Sequence, residues 1–335
     1  MTLLHLPVRD IYLHHLKPKR QRHCSQLLPA DYLIVISAIE EFWRSQDEKR
    51  KGQPMTAAAW LELGETLIAQ YLDSRTDLAI PTANKHLRYL RNVWNFLHDE
   101  DVLPKRFRLK ESPELTREPR CWSQEEFSSI LKSAIAMRGR VGDVPANVWW
   151  PALILMIYAV GCRINAVMRV AVADLDLVAG TVLVRAETQK QKDDQLFTLI
   201  PEAVAAIKLM RPERLTLLFE EWRFDKPQRK TGRRDWRTLT RHYRKILKRA
   251  GLPDSRVDLF HKVRRTFGTF VAKRGGKAAA KELLGHSTEK VTERYLDKRF
   301  LELPNAADLL QRPAVPIQLR LLKPGDDPPP SARAG

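Results

Sequence analysis

The chain has 335 residues, with 58 Lys and Arg against 40 Asp and Glu, a formal net charge of +18. At 44% hydrophobic and 29% charged residues it is too apolar to be mostly disordered, and the basic surplus makes a polyanion the first partner to consider. Its 3 cysteines, Cys24, Cys121 and Cys162, lie far apart with no CxxC pair, which suggests neither a disulfide framework nor a thiolate zinc site and fits a reducing cytosol.

In chain order, the N-terminus meets Arg9 and Asp10 almost at once and lacks the apolar core of a secretory signal, so export is not expected and the location reads as cytoplasmic. His14, His15, His23 and Cys24 are close together but read as a solvated polar stretch, with no metal site implied. Periodic apolar positions predict helices over residues 32–42 and 60–72. The clearest helix is 82–98, where Leu87, Leu90, Val93, Trp94 and Leu97 form one stripe. Lys85, Arg88 and Arg91 lie off that stripe, which suits a solvated basic face as well as phosphate contact.

After Pro104 the chain becomes charged and aperiodic, with two further prolines, and reads as a linker or extended connection. Ser123, with Glu126 three residues on, predicts a capping box that opens the next helix. The apolar run 148–162 is shorter than the roughly 20 residues a membrane span needs, so no membrane partner is expected. Pro151 suits the first turn of a buried helix over 152–160 and Gly161 suits its end, leaving Arg163 just beyond. Residues 181–187 and 195–200 read as a β-hairpin carrying Lys190 and Lys192 near its tip.

The charge is unevenly placed. Residues 1–112 hold 17 basic against 14 acidic residues, net +3, whereas residues 223–249 hold 12 against 2, net +10. Trp222, Trp236 and Tyr243 are interleaved with these cations, and 235–250 has the spacing of an amphipathic helix with a cationic face. Arg233, Arg234, Arg237, Arg241 and Arg244 are therefore candidate nucleic-acid contacts, joined in the N-terminal half by Lys85 and Arg88. Such contacts supply affinity for phosphate without naming a sequence.

Residues 260–300 carry the groups able to do chemistry: His261-x-x-Arg264, Leu284-Gly285-His286-Ser287 and, nine residues after His286, Tyr295. On a helix His261 and Arg264 share a face. Gly285 is placed to stop a helix over 277–284, with His286 in the turn, and Ser287 or Thr288 can cap a following helix that would present Tyr295.

Taken in order with Gly161-Cys162-Arg163 and the hairpin lysine, these motifs resemble the tyrosine recombinase (phage-type integrase) family over most of the chain. The resemblance implies a mainly α fold with a small antiparallel β-sheet (α+β): a helical, DNA-clamping domain over 1–112, a catalytic domain over 113–303 and a tail over 304–335. It implies that Arg163, Lys190, His261, Arg264, His286 and Tyr295 are catalytic, with Lys192 the fallback for Lys190. Ala166, three residues after Arg163, stands where the family often has an acid, which leaves the arginine without that support.

The implied reaction is attack by Tyr295 on a DNA phosphodiester, giving a 3′-phosphotyrosyl bond that another strand's 5′-hydroxyl then resolves. No cofactor is implied, and neither a Walker-type loop nor a two-metal carboxylate cluster is present in the sequence. The expected partners are double-stranded DNA and further copies of the chain, as a tetramer, in the service of a mobile element. Two competing readings are type IB topoisomerase-like cleavage and resealing, and a catalytically impaired DNA-binding protein.

Overall fold

The computed structural model describes residues 3–20, 27–115, 118–189, 193–220, 222 and 236–301. The chain forms two compact units, Met1–Thr116 and Arg117–Gly335.

The first unit is built on three long helical segments, Leu27–Ser45, Ala57–Ser74 and Ile80–Asp99, the second broken at Gly64 within the predicted stretch 60–72; each predicted stretch lies inside a longer segment. Their apolar faces meet around Tyr32, Trp60 and Trp94, with the Trp60 and Trp94 rings stacked at 5.8 Å. The predicted connection after Pro104 is extended but fastened to this unit. Trp94 Nε1 donates to the Lys105 carbonyl at 2.8 Å, and Glu65 accepts the backbone N–H groups of Arg108 and Leu109 at 2.9 and 3.0 Å. Asn84 then exchanges hydrogen bonds with Ser112, both at 2.9 Å. These bonds use up polar backbone groups that an unstructured linker would leave to water.

The second unit is organised around the helix Ala146–Val160, which packs against the helices Gln124–Ile135, Pro201–Leu209 and Phe260–Leu284. Gln124–Ile135 opens with the predicted capping box: Ser123 Oγ accepts from Glu126 N and Glu126 Oε2 accepts from Ser123 N. The central helix begins at Ala146, so the expectation that Pro151 marks its first turn was wrong. Pro151 lies inside the helix, although an interior proline typically costs about 3 kcal/mol. Ala146, Trp149 and Trp150, in the turns before it, are all buried in the same core; their burial offsets the proline.

The small sheet is antiparallel, in the order Leu175–Asp176, Thr181–Val184, Gln195–Thr198, with Val182 opposite Phe197 and Val184 opposite Gln195. The first of these strands, and a two-stranded pair of Arg140–Val141 with Val144–Pro145, carry too few residues to show a period in the sequence. The predicted strand 181–187 stops at Val184 because residues 186–188 form a 3-10 turn, where Ala186 N donates to Asp194 Oδ1 at 2.6 Å. Lys190 and Lys192, at the predicted hairpin tip, lie outside the described residues, as does the predicted tail after 304.

Gly161 closes the central helix in the left-handed region, at φ 60. A Cβ there would lie 2.1 Å from Phe267 Cδ1. Gly161→Ala is therefore expected to destabilise the chain by about 3 kcal/mol, combining left-handed strain with overpacking. Denaturant unfolding of the full chain checks this, and an unchanged midpoint would contradict it.

Candidate active site

Four segments of the second unit converge here: the end of the central helix with Arg163, the start of Phe260–Leu284, the turn at His286, and the chain around Tyr295. The Phe260–Leu284 helix is primed by a second capping box, Ser255 with Asp258. Asp258 also pairs with Lys262 at 3.0 Å, and Lys262 Nζ lies 3.4 Å from the Trp122 ring centre. His261 and Arg264 follow on this anchored turn.

The helix is broken at Gly276, whose φ of 81 and ψ of 171 interrupt the helical path. That conformation is open to glycine and costly for other residues. The chain beyond it brings Leu284 back toward Arg264. Gly285 then ends the helix at φ 61, with Gly285 N donating to Glu282 O at 2.8 Å and His286 N to Lys281 O at 2.9 Å. These two bonds are the Schellman arrangement.

Arg264 is the hub. Only 3% exposed, it donates from Nη1 to the Gly161 carbonyl at 2.6 Å, and from Nη2 to the Leu284 carbonyl at 2.8 Å and to His286 Nε2 at 3.1 Å. Its Nε is buried with no partner among the described residues. A buried guanidinium N–H without an acceptor is costly, and an anionic oxygen would satisfy it. Arg264 Cζ lies 5.4 Å from the centre of the Tyr295 ring, which also faces the rings of His261 at 5.0 Å and His286 at 4.6 Å.

Thr288 caps the helix Glu289–Glu293, as one of the two predicted caps. The helix does not present Tyr295, contrary to expectation. It ends at Glu293, and Tyr295 sits in the following turn, its N–H donating to the Thr292 carbonyl at 2.8 Å. Asp297 draws the chain away: 1% exposed, it accepts from Cys121 N at 2.9 Å and from Arg299 Nη2 at 2.6 Å, while its own N–H donates to Thr269 Oγ1 at 3.0 Å. Sequence reasoning missed Asp297 and Thr292; their nearness to Tyr295 was the one available signal.

Arg163 is half-buried, directly before the short helix Ile164–Val167. It lies close enough to Arg264, His261 and His286 to disfavour their charged forms. Ala166 is buried at 3% exposure, and among the described residues no hydrogen bond or ion pair holds the Arg163 side chain. The acid absent from position 166 is thus not replaced within that set.

Burial, followed by the charges of Arg265, Arg264 and Arg163, lowers the His261 pKa to about 4. His261 as a whole residue is exposed, while its ring centre lies 5.0 Å from that of Tyr295. Burial, then Arg264, Arg163 and His261, likewise lowers His286 to about 4. In the unfolded chain both titrate near 6.5. Between about pH 6.5 and 4 the unfolded state therefore binds protons that the folded state refuses. This contribution to stability is complete above pH 6.5 and declines as pH falls through the window. Histidine ring signals followed by NMR should show midpoints near pH 4, and midpoints near 6.5 would contradict the lowered pKa of both rings.

The candidate nucleic-acid residues separate into two groups. On the helix Trp236–Arg249, Leu239, Tyr243, Ile246 and Leu247 are buried, whereas Arg237 and Arg241 are exposed with no ion-pair partner among the described residues. Arg244 donates from Nε to the Asp254 carbonyl at 3.0 Å. In the first unit Lys85 pairs with Asp31 at 2.9 Å and Arg88 with Glu111 at 3.3 Å. Arg233 and Arg234 lie outside the described residues. No helix among the described residues is long and apolar enough to cross a membrane.

A helical unit with a small antiparallel sheet, holding a tyrosine between two histidines and a buried arginine, defines a class, and residues 123–302 match the model of the Phage integrase family. The chain belongs to that family. It is 30% identical to the tyrosine recombinase XerC of Rhodospirillum centenum over 187 residues, 53% of this chain and 50% of that protein, so the match spans half the relative's length. It is 25% identical to XerC of Bacillus subtilis over 292 residues, 82% of this chain and 87% of the relative. Among solved structures, a lambda integrase tetramer bound to a Holliday junction superposes with a TM-score of 0.61 at 16% identity, covering 90% of this chain and 80% of that one. The Tn1549 transposon integrase with transposon right end DNA also gives 0.61, at 15% identity, covering 91% and 97%. At such identities these structures share the fold.

Proposed function

We propose that the chain is a site-specific DNA recombinase that cuts and rejoins strands through a covalent bond to Tyr295. The observation that carries this reading is the Tyr295 ring bracketed by His261, His286 and Arg264. Tyr295 Oη attacks the scissile phosphorus, the bond from phosphorus to the 5′ oxygen breaks, and a 3′-phosphotyrosyl linkage forms. A 5′-hydroxyl from another strand reverses the step and releases the tyrosine.

A phenol with a pKa near 10 is a poor nucleophile until its proton has somewhere to go, and neutral His261 has a lone pair to receive it. Burial is the largest cause of the low His261 pKa, and an entering phosphodiester would counter the smaller part that comes from Arg265, Arg264 and Arg163. Arg163 and Arg264 bind nonbridging oxygens and stabilise the charge added in the transition state. Lys190 is assigned to protonate the leaving 5′ oxygen.

By resemblance to the family, the active assembly is a tetramer on two duplexes, inside the cell, and the element served is a mobile one. Strand exchange between two labelled duplexes, using DNA from either side of the coding region, tests this reading. Exchange products support it, whereas cleavage and resealing confined to one duplex would place the chain with type IB topoisomerase-like enzymes. The exposed cationic face supplies phosphate contacts, so Arg237→Glu with Arg241→Glu is expected to weaken DNA binding and flatten its salt dependence. Unchanged binding across a salt series would remove this face from the interface.

A further inference from the structure

Thr292 is fully buried, and His286 Nδ1 lies 3.1 Å from its hydroxyl oxygen. On the other side of the ring, His286 Nε2 meets Arg264 Nη2 at 3.1 Å. A guanidinium can only donate, so Nε2 must carry the lone pair and Nδ1 the proton. Nδ1–H therefore donates to Thr292 Oγ1, and the threonine hydroxyl donates in turn to the Thr288 carbonyl at 3.3 Å. This pair of contacts fixes His286 in the Nδ1–H tautomer.

That tautomer is the wrong one for a phosphate. A phosphodiester oxygen accepts hydrogen bonds, so Nε2 can bind it only when Nε2 carries a proton. One route is protonation to imidazolium, which burial, the largest cause of a pKa lowered to about 4, opposes even where a phosphate offsets the charges of Arg264 and Arg163. The other is a change of tautomer. It requires the partner of Nδ1 to turn from acceptor into donor, which a backbone carbonyl or a carboxylate cannot do. A hydroxyl can, because it rotates and offers both a proton and lone pairs. Its present donation to Thr288 is long for an O–H···O bond, so little is lost when the proton swings to Nδ1.

We propose that Thr292 is a positioning residue whose hydroxyl lets His286 exchange ring tautomers when a phosphate arrives, converting Nε2 from an acceptor for Arg264 into a donor to the phosphate. The ring gives its Nδ1 proton to solvent and takes one at Nε2, so its charge is unchanged. Arg264 Nη2 is released from His286 in the same event and turns its N–H to the phosphate. Coupling the two donors leaves neither Arg264 Nη2 nor His286 Nε2 without a partner before or after the switch.

This rests on the recombinase reading for its purpose, but its chemistry is read separately. The test uses the full chain labelled with 15N in histidine, alone and titrated with inorganic phosphate, as wild type, T292S and T292V. Nitrogen shifts of His286 are expected to report the Nδ1–H tautomer in the free wild type and Nε2–H with phosphate, with T292S following it. T292V, near in shape but without a hydroxyl, is expected to fail to switch. In covalent adduct assays T292V should be slower by about 10²-fold, the scale for losing one transition-state donor, and T292S should stay near wild type. Thermal unfolding of the variants alongside the wild type guards against a purely structural loss. An Nε2–H tautomer already present in the free protein, no change on phosphate addition, or switching in T292V would each overturn the proposal. Absence of any adduct with wild-type protein, alongside normal tautomer switching, would instead overturn the recombinase reading.

Discussion

Tyr295→Phe is expected to abolish covalent DNA adducts to the limit of detection while leaving the fold and DNA binding intact. The change removes one oxygen and keeps the ring that packs against His286 at 4.6 Å and His261 at 5.0 Å. Tyr295 is half-buried as a residue, and loss of its one hydroxyl alters stability by about 1 kcal/mol. The proposed chemistry, by contrast, loses its nucleophile, and the nearby Cys162 is a poor replacement, buried with its thiol pKa pushed up to about 11 by that burial. Denaturing gels after incubation with nicked duplexes measure the adduct, and band shifts measure binding. Adduct formation by the Phe variant would move the nucleophile elsewhere.

Arg264→Lys should lose both activity and stability, and this double loss distinguishes it from Arg163→Lys. One ammonium cannot reach the Gly161 carbonyl, the Leu284 carbonyl and His286 Nε2 together, as the planar guanidinium does. Each buried carbonyl left without its donor costs about 1–3 kcal/mol. Removing the transition-state donor costs a further 10²- to 10³-fold or so in rate. Arg163 holds no such bonds among the described residues, so its lysine variant should lose rate with little change in unfolding midpoint. Equal stability losses in the two variants would contradict the hub role assigned to Arg264.

Local signals were legible in the sequence where a residue type has one physical task. Ser123 with Glu126, Gly161 and Gly285 mark helix ends because capping and left-handed geometry restrict which residues fit, and all three stand where expected. The amphipathic cationic helix was legible for a similar reason, since Leu239, Tyr243, Ile246 and Leu247 repeat at helical spacing and are buried together. Pro151 misled because its local preference was overridden by the burial of Trp149 and Trp150, a tertiary effect with no local mark. The end of the Tyr295 segment was misread for a comparable reason: Asp297 takes its hydrogen bonds from Cys121, far away in the chain.

The site was legible as a set of residue types and illegible as a circuit. That Arg264 would bind the backbone of Gly161 and Leu284, and that His286 would be held between Arg264 and Thr292, depends on the break at Gly276, which reverses the direction of the chain. The consequence for chemistry is specific, because the circuit sets the proton position on His286.

The most direct measurement of the proposed chemistry is mass spectrometry of protein incubated with a nicked duplex, then digested with nuclease and trypsin. Cleavage after Arg294 and Lys298 isolates residues 295–298, with Tyr295 the one hydroxyl-bearing side chain in the peptide. A nucleotide joined to that peptide through a phosphotyrosyl bond is the predicted result. Tight DNA binding with that peptide unmodified, or a covalent bond on any other residue, would contradict it.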